Sequence, residues 1–360
     1  MTDVLAEPIP IVIHQAPVHR RERWRPSRAG RFVRMAVLAV LAGFVVASPH
    51  LIGAIRINVL STAATSVIVA LSLNILIGYT GQVSLGHSAF VGMGAFTAGF
   101  VISTLGMPWE AALVAAVGVG AAQALAIGLV ALRVRGLYLA LVTLVYAVFA
   151  ERVLFNIEAI TGGGGGIEAT RPGWATGDVT YAYLCILGVA AVWIFDWRLT
   201  SSKAGRAIEA LRDSERVAAS WGINVTAFKL LAFVLSGAIA GLGGALFASV
   251  EQLIAPLDFA FLGSVTFVMM AIFGGVGSRP GVVLGALVFS FLAYGLERLA
   301  EAFPDQPINA SATPLVAALL VLGVLLYFPG GLAQLLRPVF RWLSFGPWKS
   351  LPSQLVGEEA

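Results

Sequence analysis

The chain has 360 residues, of which 58% are hydrophobic and only 12% charged, about half the charged share of a soluble domain. That balance excludes a water-solvated globule and a disordered chain, and the 40 glycines follow no triplet period of a collagen. The formal net charge of +4 does not point to nucleic acid, because the basic residues are scattered through short connections rather than gathered into a stripe.

In chain order, residues 1–31 form a polar, Arg-rich N-terminal arm, and the first long apolar run begins near Phe32. This opening has the outline of a secretory signal with Ala47-Ser48 as a cleavage region. Because further apolar runs follow at once, an uncleaved first span behind a cytoplasmic arm is the better reading. A helix rises about 1.5 Å per residue and the hydrocarbon core is about 30 Å thick, so one crossing takes about 20 apolar residues. On that measure the chain is an all-α, polytopic integral membrane protein of about ten transmembrane helices. The spans are placed at 32–53, 57–78, 86–105, 109–132, 136–155, 179–197, 228–250, 258–276, 281–303 and 313–333. The third and eighth are Gly-rich and flanked by Gly turns, so either is a candidate broken or re-entrant helix. The membrane-embedded body thus covers 32–333, with a long cytoplasmic connection at 198–227 and a cytoplasmic C-terminal tail at 334–360.

The basic residues test this topology. With a cytoplasmic N-terminus, 19 of the 23 Lys and Arg fall inside and four fall outside: Arg56, Arg152, Arg171 and Arg298. Cytoplasmic connections carry the excess of Lys and Arg, so an even number of spans and two cytoplasmic termini are expected. Ten spans divide into two sets of five, and a tandem unit with an odd number of spans inserts upside down the second time. Ala89-Phe90-Val91-Gly92 in the third span is echoed by Ala260-Phe261-Leu262-Gly263 in the eighth, as an inverted 5+5 repeat would have it.

Three stretches carry chemistry. Gln82, Ser84, His87 and Ser88 lie at or just inside the membrane, where polar groups face protein or water rather than lipid. Ser84 and Ser88 are one helical turn apart, so this face either lines a pathway or makes interhelical hydrogen bonds that fix packing. The glycine run from Gly162 lacks the Gly-Lys-Ser/Thr of a phosphate loop; it reads as a flexible external loop or a contact for a solute-delivery protein. In the 198–227 connection, Ile208, Leu211 and Ala218 share one helical face, while Glu209–Arg212 and Asp213–Arg216 are i,i+3 pairs that support a short surface helix. Gly222 is its stop, and Asn224 or Thr226 caps the next span. So short a helix needs a surface for its apolar face, either this chain's own helix ends or a partner's groove. Cys185 is the only cysteine, which excludes an intrachain disulfide and a multi-cysteine metal site, and it is expected as a small buried residue. No set of His and carboxylates has ligand spacing, so no metal is expected.

The string Gly205-Arg206-Ala207-Ile208-Glu209-Ala210-Leu211-Arg212-Asp213, followed by Ala218-Ala219-Ser220-Trp221-Gly222-Ile223-Asn224, resembles the cytoplasmic coupling loop of ABC importer permeases in its branched-chain amino-acid form. Leu211 stands where the wider motif often has a second Ala. The run from Gly78-Tyr79-Thr80-Gly81-Gln82 to Phe90, the loop Thr161-Gly162 to Ile167, and Gly274-Gly275-Val276-Gly277-Ser278-Arg279-Pro280-Gly281 resemble the LivM-like members of that family. These strings run in order through residues 57–333 and leave 1–31 and 338–360 uncovered. The resemblance implies a bacterial inner-membrane permease subunit paired with a second, related permease, two ATPase subunits and a periplasmic solute-binding protein. It also implies that Gly205, Arg206, Ile208, Glu209, Ala210, Leu211, Arg212 and Gly222 belong to the ATPase-coupling loop. ATP and magnesium would sit on the partner ATPase and no cofactor on this chain. The implied cargo is a branched-chain amino acid or a related small polar solute, including other amino acids, urea and short amides.

Two other classes compete. An ion-coupled transporter or channel usually places ionisable groups deep in its spans, whereas Glu110, Glu151, Glu251 and Glu297 fall near predicted ends, and no charged pair suited to an amino acid's two charges is evident in the spans. A membrane enzyme would need a nucleophile with its base, or a carboxylate pair on one face, and neither is present in the sequence pattern.

Overall fold

The computed structural model describes residues 54–131, 136–302, 313–328 and 330–334, with 37, 43 and 47–50. The chain divides into two units, residues 1–40 with 338–360 and residues 41–337, and every element below lies in the second. The expected first span falls almost wholly outside the described residues.

α1 (Ala54–Leu73) runs without interruption into a π-helical turn, Asn74–Tyr79. α2 (His87–Gly99) likewise ends in a π-helical turn, Phe100–Thr104. α3 (Trp109–Ala131), α4 (Leu137–Arg152), the single-turn α5 (Glu158–Thr161), β1 (Ile167–Glu168) and α6 (Asp178–Ser201) follow. Then come α7 (Lys203–Asp213), α8 (Glu215–Ser220), α9 (Val225–Glu251), β2 (Leu253–Ile254), α10 (Phe261–Gly274), α11 (Arg279–Ala302) and α12 (Thr313–Tyr327).

α1 forms the axis of the core. Ile68, Leu71, Leu73, Ile75 and Leu76 are completely buried, and α6, α9 and α11 pack around it. α9 in turn lies against α2 and α3 with almost no side chain between the backbones. A Cβ on Gly244 would strike the Val91 carbonyl, one on Gly94 the Gly241 carbonyl, and one on Gly120 the Gly237 carbonyl. Small residues permit this close approach of membrane helices. The outer faces of α3, α4 and α6 expose Val114, Leu129, Val145, Leu187 and Ile194, the apolar surface that lipid requires.

Among the described residues, six helices are long and apolar enough to cross a membrane: Ile57–Tyr79, Trp109–Val130, Tyr138–Asn156, Asp178–Ser201, Val225–Glu251 and Arg279–Leu296. Each matches an expected span to within a few residues, apart from the early end of the last. The expected eighth span is shorter than predicted. α10 has 14 residues, about 21 Å at 1.5 Å per residue, and it is preceded by the 3-10 turn Pro256–Phe259. The expected third span begins deep in the bundle, where His87 at the start of α2 meets Ser236, the twelfth residue of α9. The irregular residues 81–86 lead down to it, and Thr143 of α4 takes the Leu85 N–H at 2.9 Å, as buried non-helical backbone in a membrane requires.

The glycine run, expected as a flexible loop, is folded into a turn. Gly162 and Gly166 adopt φ of 69° and 76°, and Ile167 and Glu168 pair antiparallel with Ile254 and Leu253. Cys185 is buried, as expected.

Candidate functional site

The coupling-loop string forms two helices rather than one. Ser202 caps α7 by accepting the Gly205 N–H at 3.1 Å, and Ser214 breaks the run and caps α8 by accepting the Val217 N–H at 3.3 Å. The connection closes at Gly222 with φ +78°, and Asn224, not Thr226, caps α9 through the Ala227 N–H. Lys229 of α9 is buried and pairs with Glu215 at 2.5 Å, which pins α8 to the bundle.

The apolar face is settled in favour of the chain's own helices. Ile208, Leu211 and Ala218 are buried to 0%, 3% and 3% exposure, and Gly205 packs so closely that a Cβ would strike the Leu199 carbonyl. The opposite face presents Arg206 and Glu209, with Ala210 at its edge, and continues onto α8 as Val217 and a Trp221 that is 82% exposed. The expected i,i+3 pairs do not form among the described residues. Arg212 instead turns inward and donates from Nη1 to the Gly78 carbonyl at 2.6 Å. A carbonyl freed at the end of a helix is a stronger attraction than a surface carboxylate screened by water.

Beneath that contact lies a polar cluster that sequence reasoning missed. Asp196 of α6 is completely buried and accepts the Tyr79 hydroxyl at 3.0 Å. Its Oδ2 also lies 3.3 Å from Nε of Arg279, the first residue of α11, whose Nη2 donates to Thr200. Asn74 donates to the Tyr79 oxygen at 3.0 Å and accepts the Gly277 N–H at 2.8 Å. Three strings far apart in sequence, around Gly78, Arg212 and Gly277, therefore meet in one place. Gly78 and Gly277 allow it: a Cβ on Gly78 would crowd Asn74 and the Gly277 nitrogen, and one on Gly277 would lie 2.8 Å from Arg212 Nη1. Asp196, within the expected span 179–197, thus pairs with Arg279, which stands just before the expected span 281–303. The available signal was a lone Asp inside the apolar run of α6, a position where an ionisable residue needs a partner.

The polar stretch after α1 separates into different environments. Ser84 and His87 are completely buried; His87 Nδ1 meets Ser84 Oγ at 3.3 Å and Nε2 meets Ser236 Oγ at 3.0 Å, while Ser236 donates to the Ser72 carbonyl. The Ser88 N–H donates to Ser264 Oγ at 2.8 Å and the two hydroxyls share a hydrogen bond at 2.7 Å, so the first turns of α2 and α10 abut. Glu151 accepts the Phe261 N–H at 2.7 Å and caps α10. Gln82 is half-buried, and its Oε1 has no hydrogen-bond partner among the described residues. Of the four, Ser88 borders a cavity of about 80 Å³, shared with Thr65, Ser66, Gly263 and Phe267. Among the described residues no group of His, Cys, Asp and Glu could hold a metal ion.

Residues 55–328 match the model of the family described as branched-chain amino acid transport system, permease component. The chain is 30% identical to the high-affinity branched-chain amino acid transport system permease protein LivM of Salmonella typhimurium, across 93% of this chain and 81% of that relative. It is 29% identical to LivM of Escherichia coli, across 87% and 78%, and 24% identical to LivH of Escherichia coli, across 76% and 93%. No solved structure matches.

Proposed function

The chain belongs to the branched-chain amino acid transport system permease family, and on that premise we propose that α7 and α8 form the loop through which a separate ATPase drives it. It is a multi-pass inner-membrane transport subunit of an ABC importer, not an enzyme. The carrying observation is the division of the loop into two faces. Gly205, Ile208 and Leu211 root α7 in the chain's own helices, Arg212 ties it to α1, and Gly222 turns it into α9. Arg206, Glu209, Ala210, Val217 and Trp221 are left for a partner. A rigid helix pair seated in a subunit that closes on ATP and magnesium is a lever for switching a pathway between its two openings.

The working assembly in this reading contains this chain, a second related permease, two ATPase subunits and a periplasmic solute-binding protein. Both termini face the cytoplasm, and about ten spans are arranged as an inverted 5+5 repeat. The abutting first turns of α2 and α10, where the Ala89–Gly92 and Ala260–Gly263 echo lies, support that arrangement. Ser88 lines the pathway, whereas His87, contacted by Ser84, holds α2 to α9, and Gln82 lies near the start of the irregular residues 81–86. The cargo is a branched-chain amino acid or a related small polar solute.

Reconstitution with the cognate ATPases and binding protein tests the loop. Glu209→Lys is expected to insert normally and to lose ATP-driven uptake; full uptake by this variant refutes the reading. Stimulation of ATP hydrolysis compared across leucine, other neutral amino acids and urea identifies the cargo.

A further inference from the structure

The polar cluster beneath α7 differs from a simple fold stabiliser in three respects. A buried ion pair carries a desolvation penalty that apolar side chains of the same volume avoid, so what Asp196 and Arg279 add is direction and position. The pairing is also incomplete: Arg279 Nε lies 3.3 Å from Oδ2 without hydrogen-bond geometry, and neither it nor the buried Oδ1 of Asp196 has a hydrogen-bond partner among the described residues. Carboxylate and guanidinium can engage through two parallel bonds, so a small rotation of α11 against α6 has a second, better-paired arrangement available. Finally, the cluster holds α1 by its π-helical turn, Asn74–Tyr79. Such turns are single-residue expansions of an α-helix and are common at functional sites. Tightening this one by one residue would withdraw the Gly78 carbonyl from Arg212 and the Tyr79 hydroxyl from Asp196 together.

We propose that Asp196, Arg279, Tyr79 and Asn74 form a joint that carries displacement of α7 to the end of α1 and the start of α11, with Asp196 and Arg279 as positioning residues of the transport cycle. This rests on α7 being the element that an ATPase moves. Each link but the last is a directional hydrogen bond, and the last is the Asp196–Arg279 ion pair. Arg212 pulls on Gly78, Tyr79 and Asn74 hand the shift to Asp196 and Gly277, and Arg279 sets the angle at which α11 leaves the loop. A second pairing of this ion pair would make the junction bistable, which is how small shifts become switches in a packed interior.

The test uses the complete reconstituted complex and reads solute transported per ATP hydrolysed, a ratio that partial loss of folded protein does not move. Asp196→Asn combined with Arg279→Gln removes both charges and leaves no unpaired ion. It is expected to assemble and hydrolyse ATP while the ratio falls about tenfold, inside the usual range of coupling between sites. Tyr79→Phe, which deletes one hydroxyl, is expected to lower the ratio about threefold, a smaller loss on the same scale. An unchanged ratio in the double variant overturns the joint, and if that variant does not assemble, an unchanged ratio in Tyr79→Phe overturns it. Glu209→Lys keeps the two readings apart: normal uptake there removes the lever itself, whereas lost uptake beside a normal ratio in the joint variants removes only the joint.

Discussion

The two ends of the bundle are held by different forces. At the end bearing α7, the buried Ile208 and Leu211 are joined by a chain of polar contacts between helices: Arg212 to Gly78, Tyr79 to Asp196, Asp196 to Arg279. At the other end, Phe96, Phe155 and Phe259 form a buried aromatic cluster with ring centroids 5.1 to 6.0 Å apart, joined by Phe247, and the β1–β2 pairing and the folded glycine turn lie over it. Burial of apolar rings is a non-directional attraction, whereas a hydrogen bond weakens steeply when its geometry changes. The first arrangement keeps a shape; the second passes on a change of shape. A molecule that receives force at one end needs the directional contacts there.

Substitutions can break this contrast. The largest effect is expected at Gly205→Trp, where even a Cβ meets the Leu199 carbonyl. Uptake is expected to vanish with insertion intact, and a variant that transports normally removes α7 from the force path. Next is Phe155→Ala, a fully buried ring in the aromatic cluster. It should destabilise the purified protein by about 3–5 kcal/mol yet leave transport per ATP unchanged, as thermal unfolding and the coupled assay together would register; a fall in that ratio would mean both ends transmit. The smallest is Trp221→Ala, since a side chain 82% exposed should alter the isolated protein's stability by no more than about 0.5 kcal/mol. ATPase affinity should nonetheless drop about tenfold, as for an aromatic anchor at an interface, and binding titrations would detect it.

The long apolar runs were legible because membrane solvent imposes length and composition directly. α1, α3, α4, α6, α9 and α11 stand close to their expected bounds. The expected span 258–276 overran α10 at both ends, since Asp258 and Phe259 complete the 3-10 turn begun at Pro256 and the helix stops at Gly274. The loop's amphipathic face was legible from Ile208, Leu211 and Ala218, but periodicity alone does not say which surface covers it. It also hid the break at Ser214, a residue whose hydroxyl competes with helix continuation. Asp196 was overlooked because it stands between Phe195 and Trp197, while its partner opens a different helix. Pairing across helices leaves no trace in local spacing.

The glycine contacts among α2, α3 and α9 have a mechanical consequence. With carbonyl set against α-carbon at Gly244, Gly94 and Gly120, there are no rotamers to rearrange and no slack for one helix to slide on another. The three must tilt as a single slab. Relative movement of helices is thereby left to other boundaries, and the joint proposed at the end of α1 lies outside this slab, where α1 meets α6 and α11.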